Sequence, residues 1–409
     1  MMGAVLLAAL CSYWSGNGPS VYNGQQGLDD AYASAIDSAG IGGFRMGFRI
    51  DGHAAWDQAL FDQYDALLAK AKAHGLDVLA IVLYESTPPS AGGQAQWNSG
   101  YDSSGMNAYV QTFADTAKTL MTRYGDQIKH WEIWNEPNAW TNSNYKNDPA
   151  NAGGTYILPI VYAKMLAETW VQNEALIQSK GLHLVTGGLF AHDIGGGFSP
   201  GDAYAEEVYA SGVWDWMEAN KGRRYPWDAF GYHVYVDQGG ATSSGHLAQY
   251  LDAIQAAKTT ANDATPLWIT EFGWQAPMNM TLADQTSNLD IALSAFEARS
   301  DVARTFVFKL DDYDDWGIFN ADFSPKPAVA TFQQHDQGCS KTTPIADAGV
   351  DAAADAGANP DAATHPDAGP PPPGQGVGCS CDASPRGGTT PMGAFVVLLM
   401  AFLRRRMRA

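Results

Sequence analysis

The sequence predicts an α/β protein in which parallel strands alternate with helices. Short apolar runs alternate with longer amphipathic segments along most of the chain, a pattern typical of parallel strands joined by crossover helices. Hydrophobic residues make up 45% and charged residues 17% of the 409 residues, which suits a globular protein with a substantial core. These two observations favour one large domain of repeated strand–helix units.

Seven apolar runs are predicted to be strands, at residues 42–50, 77–84, 129–135, 183–190, 228–235, 266–272 and 302–309. The helical patterns lie at 57–73, 105–124, 158–178, 203–219, 246–261, 281–299 and 326–334. An eight-stranded barrel needs one more strand at the front. Residues 4–14, followed by a helical stretch near 28–39, are the candidate. The predicted architecture is therefore a (β/α)8 TIM barrel over residues 1–337.

The apolar start of the chain has two interpretations. MMGAVLLAAL resembles the core of a signal peptide, but it lacks a basic region, and Leu10 before Cys11 is a poor cleavage position. We therefore interpret 4–14 as the first strand, with an abnormal or truncated start. In that case an export signal would be encoded upstream of this start.

The composition changes after residue 337. Residues 338–378 repeat Asp-Ala, end in Pro and have almost no large apolar residues, so they are predicted to form a disordered linker. Residues 379–409 hold a Cys-x-Cys pair, an apolar run at 391–403 and an arginine cluster. That run is short for a transmembrane helix, which needs about 17–25 residues. One interpretation of residues 379–409 is a poorly packed hydrophobic tail, and the other is a sorting signal.

The order of these tail features resembles the C-terminal sorting signals of surface proteins in myxobacteria. The resemblance implies a secreted protein held at the cell surface, anchored or sorted through residues 379–409. We expect membrane contact through this tail only, and a monomeric protein.

The acidic charge belongs to the predicted barrel. The formal net charge is −20, and residues 338–409 contain six acidic and six basic residues, so the excess lies within 1–337. An acidic body repels phosphate backbones, which makes nucleic acid an unlikely partner, whereas a neutral polymer is not repelled. The four cysteines leave residues 12–338 without a disulfide framework.

Two predicted strands end on a carboxylate. WEIWNEPN (131–138) places Glu136 after an apolar run, and PLWITEFGW (266–274) places Glu271 at the end of another. By strand count these are the fourth and seventh strands, whose C-terminal ends meet at the same face of a barrel. A single Glu there would be better explained as a solvated loop residue. Two carboxylates about 5–5.5 Å apart are what retaining glycoside hydrolysis requires.

The same octet contains a second glutamate. Glu132 lies four residues before Glu136 and deeper in the predicted strand. It is predicted to be a buried structural carboxylate.

WNEPN and WITEFGW resemble the clan A glycoside hydrolases, retaining (β/α)8 enzymes, with family 39-like or family 5-like features. The resemblance implies that Glu136 is the acid/base and Glu271 the nucleophile. The implied activity is double-displacement cleavage of β-linked plant or microbial polysaccharide or oligosaccharide, without a cofactor or a metal.

Further motifs support the resemblance: FRMGF (44–48), LYESTPP (83–89), GYHVY (231–235) and the segment 316–332. The residues that they and the two Glu motifs imply as substrate-binding or supporting are Arg45, Tyr84, Asn135, His233, Tyr235, Trp274 and Trp316. Arg45 would keep Glu271 ionised, Tyr235 would hydrogen-bond it, and Asn135 suits the 2-hydroxyl of the sugar. One departure is the eighth strand, where many members carry a Trp that forms a platform for the sugar ring. Here it reads FVFKLDDYDDW, and Trp316 comes late in the segment.

Other sequence patterns suggest rival functions. GFSPG (197–201) fits the G-x-S-x-G pattern of serine hydrolases, but Pro200 has no N–H for an oxyanion hole. The acidic cluster of Asp311, Asp312, Asp314 and Asp315 could bind a cation, but a solvated loop is the better explanation. The main alternative is an inactive barrel that serves as a surface carbohydrate-binding protein.

Overall fold

The computed structural model describes residues 14–16, 27–50, 52–193, 197–312 and 315–335. Residues 4–13 of the predicted first strand and everything from 338 onward lie outside the described residues. The strands are β1 Trp14–Gly16, β2 Gly43–Phe48, β3 Asp77–Val82, β4 His130–Ile133, β5 His183–Thr186, β6 Leu189–His192, β7 Phe230–Tyr235, β8 Leu267–Phe272 and β9 Val302–Val307. The helices are α1 Asp30–Ser38, α2 Gln58–Ala73, α3 Gln94–Trp97, α4 Ala108–Tyr124, α5 Pro159–Lys180, α6 Asp202–Tyr209, α7 Val213–Lys221, α8 Ser244–Thr260, α9 Leu282–Glu297 and α10 Pro327–His335.

The strands form two parallel sheets. The first has the order β2-β3-β4-β5, and the second has the order β1-β9-β8-β7-β6. All seven ladders between neighbouring strands are parallel. The two sheets meet at a parallel bridge between Val185 and Ala229, and β1 contacts β2. The predicted parallel α/β fold is confirmed.

The predicted strand 183–190 is wrong as a single element, because it forms β5 and β6 with a break at two glycines. A Cβ on Gly187 would lie 2.6 Å from the carbonyl oxygen of Trp134, and one on Gly188 would lie 2.1 Å from Cδ2 of His233. Real Cβ atoms do not come this close, so only glycine allows the neighbouring backbone and ring to pack here. The sequence showed the glycines but not what they contact.

Two other boundaries differ from the prediction. The predicted helix 203–219 is two helices, α6 and α7, separated by residues 210–212. Of the predicted first strand, the structure describes Trp14, which belongs to β1. β4 ends at Ile133, two residues before the predicted end, because Trp134 leaves the strand conformation with φ 76.

The interior of the fold is shared by both sheets. Every residue of β7 and β8 is buried, as expected for parallel strands covered on both faces. Leu79 and Val185 of the first sheet pack in one apolar cluster with Trp268 and Phe306 of the second. The two sheets therefore enclose a common core.

Local sequence explains where most helices begin. Asp57, Asn107 and Ser243 each accept a hydrogen bond from the backbone N–H three residues later, at the starts of α2, α4 and α8. α5 begins at Pro159 and ends at Lys180, and the next residue, Gly181, caps it with a φ of 59. Within the part of the chain that the structure describes, no helix is both long and apolar enough to cross a membrane.

Candidate active site

Glu136 lies in a strained turn directly after β4. Trp134 has φ 76 and Glu136 has φ 47, a region that residues other than glycine rarely adopt. Each such residue costs on the order of 1–3 kcal/mol and persists only when its surroundings hold it. Here Trp134 donates its N–H to the Val82 carbonyl at 2.7 Å, and the Thr155 hydroxyl donates to the Glu136 carbonyl at 2.7 Å. The turn therefore fixes the position of the Glu136 side chain.

Glu271 belongs to β8 itself, and its side chain is 8% exposed. The pairing register between β7 and β8 shifts after Tyr232, so that His233 lies opposite Glu271. Arg45 donates from Nη1 to Oε1 of Glu271, and the Tyr235 hydroxyl donates to Oε2 at 2.5 Å. A guanidinium and a hydroxyl donor both favour the ionised form of this carboxylate.

The two predicted catalytic carboxylates are brought together. One oxygen of Glu136, one oxygen of Glu271 and a ring nitrogen of His233 all lie within 4.8 Å of one another. Nδ1 of His233 lies 2.9 Å from Oε1 of Glu136 and 3.6 Å from Oε2 of Glu271. His233 therefore stands between the two acids.

The environment of Glu136 favours its protonated form. Burial raises the pKa of Glu136, and the nearby charge of Glu271 acts in the same direction. The hydrogen bond and charge of His233, and the charge of Arg45, lower this pKa but do not cancel the increase. Burial, followed by the charges of Glu271 and Glu136, also raises the pKa of Tyr235, so its hydroxyl remains a proton donor to Glu271.

Arg45 pairs with two carboxylates, those of Glu132 and Glu271. It is 1% exposed and donates from Nε to Oε2 of Glu132 at 2.6 Å and from Nη2 to Oε1 at 3.1 Å. Burial alone would lower the pKa of Arg45, but the charges of Glu132 and Glu271 raise it overall. The guanidinium is therefore a permanent positive charge at the base of the site.

Glu132 is fully buried, as its place in the strand predicted. Besides Arg45 it accepts hydrogen bonds from the Gly188 N–H at 2.9 Å and the Thr270 hydroxyl at 3.3 Å. A buried carboxylate needs such partners. The pairing of Glu132 with Arg45 was not foreseen, because nothing local in the sequence relates positions 45 and 132.

Asn135 is oriented by the same arginine. Nη2 of Arg45 donates to Oδ1 of Asn135 at 2.8 Å, so the Asn135 carbonyl is engaged and its amide NH2 group faces away from Arg45. The residue is half-buried and directly precedes Glu136. Arg45 therefore contacts both Asn135 and Glu271, which brings Asn135 to the same guanidinium as that carboxylate.

Three sequence-predicted residues lie further from the carboxylates. Tyr84 is half-buried, with its ring 5.1 Å from that of Trp97. Trp274 is 1% exposed and donates its indole N–H to the Val236 carbonyl at 2.9 Å, so it packs within the core. Trp316 is also 1% exposed, with its ring edge-on to Tyr235 at 5.6 Å. Trp316 therefore contacts Tyr235, which in turn holds Glu271.

Two residues beside the site were missed from the sequence. Phe308 follows β9, is half-buried, and has its ring 5.8 Å from Tyr235 and 5.4 Å from Trp316. In the sequence it is the second aromatic residue of FVFK. Asn138, the last residue of WNEPN, donates to the Phe190 carbonyl at 2.9 Å and accepts from its N–H at 2.8 Å. It ties the Glu136 turn to β6.

Among the residues that the structure describes, two groups of side chains have the spacing to hold a metal ion. One is Glu136, His233 and Glu271, and the other is Asp193, Asp237 and His246. In the first group the guanidinium of Arg45 already neutralises Glu271, and its positive charge would oppose a cation there.

Known structures share this fold. Native xylanase 10B from Thermotoga maritima matches with a TM-score of 0.51 at 13% identity, over 80% of this chain and 96% of that one. GH5_18 from Streptomyces cattleya in complex with GlcNAc matches with a TM-score of 0.55 at 16% identity, over 80% of each chain. The rice Os3BGlu6 β-glucosidase matches with a TM-score of 0.53 at 14% identity, over 74% of this chain and 86% of that one. At these identities the likeness is one of fold alone.

The comparison at the level of sequence families goes further. No curated protein sequence matches the chain significantly. The family model described as "Glycosyl hydrolase catalytic core" matches residues 96–322, which is more than half of the 409 residues and includes both glutamates of the site. The chain therefore belongs to the glycosyl hydrolase catalytic core family.

Proposed function

We propose that the protein is a clan A retaining glycoside hydrolase that cleaves β-linked oligosaccharide or polysaccharide, with Glu271 as nucleophile and Glu136 as acid/base. The observation that carries the proposal is the pair of carboxylates in opposite environments. Their oxygens lie within 4.8 Å, Glu271 is held by Arg45 and Tyr235, and the pKa of Glu136 is raised by burial. Such a pair separates the acid from the nucleophile.

In the first step, an oxygen of Glu271 would attack the anomeric carbon while Glu136 gives its proton to the glycosidic oxygen. The bond between the anomeric carbon and that oxygen breaks, the leaving sugar departs as an alcohol, and a glycosyl ester forms on Glu271. The Tyr235 hydroxyl would release Oε2 as the ester forms. Asn135 would donate to the sugar's 2-hydroxyl, a contact that strengthens in the transition state.

In the second step, Glu136 would act as a base. It takes a proton from water, whose oxygen attacks the anomeric carbon, and the ester bond to Glu271 breaks. Two inversions give net retention. An inverting enzyme needs about 6.5–9.5 Å between its carboxyl groups to hold a water molecule, so the shorter spacing here favours retention.

The proposed scaffold is a closed (β/α)8 barrel in which β5 and β6 together form the fifth strand. The Val185–Ala229 bridge and the contact between β1 and β2 support closure at the two junctions of the sheets. Glu136 then follows the fourth strand, and Glu271 lies on the seventh, at the same end of the barrel.

The test is activity on aryl β-glycosides with chemical rescue. We expect Glu271→Ala to lose hydrolysis by at least about a thousandfold, since the nucleophile is removed. Azide should restore turnover of an activated aryl β-glycoside and give the α-glycosyl azide, whereas Glu136→Ala with azide should give the β-glycosyl azide. Glu218→Ala, on the exposed surface of α7, is the matched control and should retain full activity.

Product configuration provides the second readout. NMR of the first sugar released should show the β-anomer. Release of the α-anomer first, or an active Glu271→Ala variant, contradicts the mechanism. Glycan binding by a folded protein without any turnover would instead favour the inactive carbohydrate-binding alternative.

A further inference from the structure

The structure describes five exposed large apolar side chains, which are Tyr101, Trp140, Phe198, Trp216 and Met278. All except Trp216 lie in segments that follow strands β3, β4, β6 or β8. Single exposed apolar residues are normal on a protein surface and need no explanation. Trp140 differs because it follows Glu136 by four residues and because its ring stacks on a second aromatic ring.

Trp140 has the geometry of a flat platform. It is 41% exposed, and one face of its ring stacks on Tyr145, with the centroids 4.7 Å apart and the planes 11° apart. Tyr145 is held edge-on by the ring of Tyr156, 4.8 Å away. Because Tyr145 covers one face, a ligand could stack only on the other.

Hydrogen bonds close the loop that carries Trp140. At its base the Ile157 N–H donates to the Pro137 carbonyl at 3.0 Å, and the Thr141 N–H donates to the Ala152 carbonyl at 3.0 Å. Oε1 of Gln94 accepts from the Gly153 N–H at 2.7 Å. These bonds hold the loop in place before a ligand binds, which lowers the entropy cost of ordering it when a ligand stacks on Trp140.

The loop begins at the proton donor of the proposed reaction. The Ala139 N–H donates to the Glu136 carbonyl at 2.9 Å, and Trp140 is the next residue. Four residues span at most about 14 Å, so the ring lies within reach of a short oligosaccharide bound at Glu136. Glu136 would contact the glycosidic oxygen, and the sugar beyond that oxygen is the leaving group.

We propose that the exposed face of Trp140 binds a sugar unit of the leaving group, so that the enzyme recognises a chain that extends past the cleaved bond. The inference rests on the proposed function for its orientation. A pyranose ring presents an apolar C–H face, and an aromatic ring offers a large apolar surface with a negative face against which it packs.

The test compares chain lengths in the Trp140→Ala variant. On β-linked oligosaccharides of three to six units we expect kcat/KM to fall by up to about tenfold, the effect of one stacked ring. On an aryl β-monoglycoside the loss in kcat/KM should be smaller, because the leaving group is a single ring and no further sugar extends to Trp140. Trp140→Phe should recover most of the loss. Trp216→Ala is the matched control, since Trp216 is 45% exposed but lies on α7. Its kcat/KM should equal that of the wild-type protein on both substrates.

Other outcomes overturn the platform. Equal loss on both substrates indicates a structural role, and no loss on either shows that the ring does not bind. A shift in elution volume of Trp140→Ala on gel filtration, without any chain-length effect, would assign the surface to self-association. If the wild-type protein hydrolyses none of these substrates, affinity electrophoresis in soluble β-glucan, xylan and mannan still tests whether Trp140 binds sugar. Retardation lost in Trp140→Ala supports the platform although the proposed function has failed, and unchanged migration contradicts it.

Discussion

At the scale of single residues, one arginine separates the roles of three glutamates. Arg45 pairs with Glu132 and Glu271 in the interior, whereas Glu136 contacts His233 and keeps 17% of its side chain exposed. Both acids beside the guanidinium form ion pairs with it, and the third is left where burial raises its pKa. The chemical asymmetry of the site therefore comes from which glutamate reaches Arg45.

The first residue-scale prediction concerns the pKa of Glu136. The charge of Glu271 raises this pKa, so Glu271→Gln, which removes the charge, should lower it. The pKa should nevertheless stay above its ordinary value, because burial is the larger cause. ¹³C NMR titration of labelled glutamate carboxyls, assigned with Glu136→Gln, measures the change.

The matched control is Glu218→Gln, a change at the exposed surface of α7, which should leave the titration of Glu136 as in the wild-type protein. In the active enzyme the same group sets the basic limb of the pH profile. Activity should fall as the pH rises through the pKa of Glu136, since the acid must be protonated for the first step. A Glu136 pKa that rises in Glu271→Gln would contradict the electrostatic argument.

At the scale of elements, the site depends on how closely β4, β5 and β7 approach. The turn after β4 and the glycine pair between β5 and β6 pack backbone against backbone, with Gly187 beside the Trp134 carbonyl. Gly188 provides both an N–H for Glu132 and the space for the His233 ring. The two glycines thus place the acid/base and its histidine partner together.

The element-scale prediction is that Gly188→Ala damages both stability and activity. Its Cβ would lie 2.1 Å from Cδ2 of His233 and 2.6 Å from Oγ1 of Thr270. We expect a loss of about 1–3 kcal/mol in the free energy of unfolding, the usual cost of overpacking. Displacement of His233 should also lower kcat/KM. Urea unfolding and kinetics on an aryl β-glycoside measure the two effects.

Gly212→Ala provides the comparison, because a Cβ there meets nothing within 4 Å. It should behave like the wild-type protein in both assays. If Gly188→Ala is as stable and active as Gly212→Ala, the close approach of β5 and β7 does not control the site.

At the scale of the whole molecule, the site draws on both sheets. Arg45 lies on β2, Glu132 on β4, Tyr235 on β7 and Glu271 on β8, so neither sheet forms the site by itself. Among the residues that the structure describes, the last one placed beside the site is Trp316. We propose that residues 338–409 serve location and not catalysis, on the strength of their composition and tail motif.

The whole-molecule prediction is that a chain ending at residue 337 keeps its activity. We expect kcat/KM on soluble substrates within about twofold of the full chain, and a similar melting temperature, because no site residue is removed. In the native cell, the full chain should fractionate with the surface and the shortened chain with the medium. A large loss of activity in the shortened chain would assign the tail a catalytic or folding role. If the full and shortened chains appear in the same fraction, the sorting proposal is contradicted.

The sequence by itself determined the order of strands and helices and the two glutamates at the strand ends. Those features depend on local periodicity and on residues adjacent in the chain, such as WNEP and WITEF. Only the tertiary structure decided that Arg45 pairs with Glu132, that Gly187 and Gly188 divide a predicted strand, and that Trp274 is buried while Trp140 is exposed. Each of these depends on contacts between residues far apart in sequence, and hydrophobic patterning does not specify which distant side chain or carbonyl will lie opposite a given position.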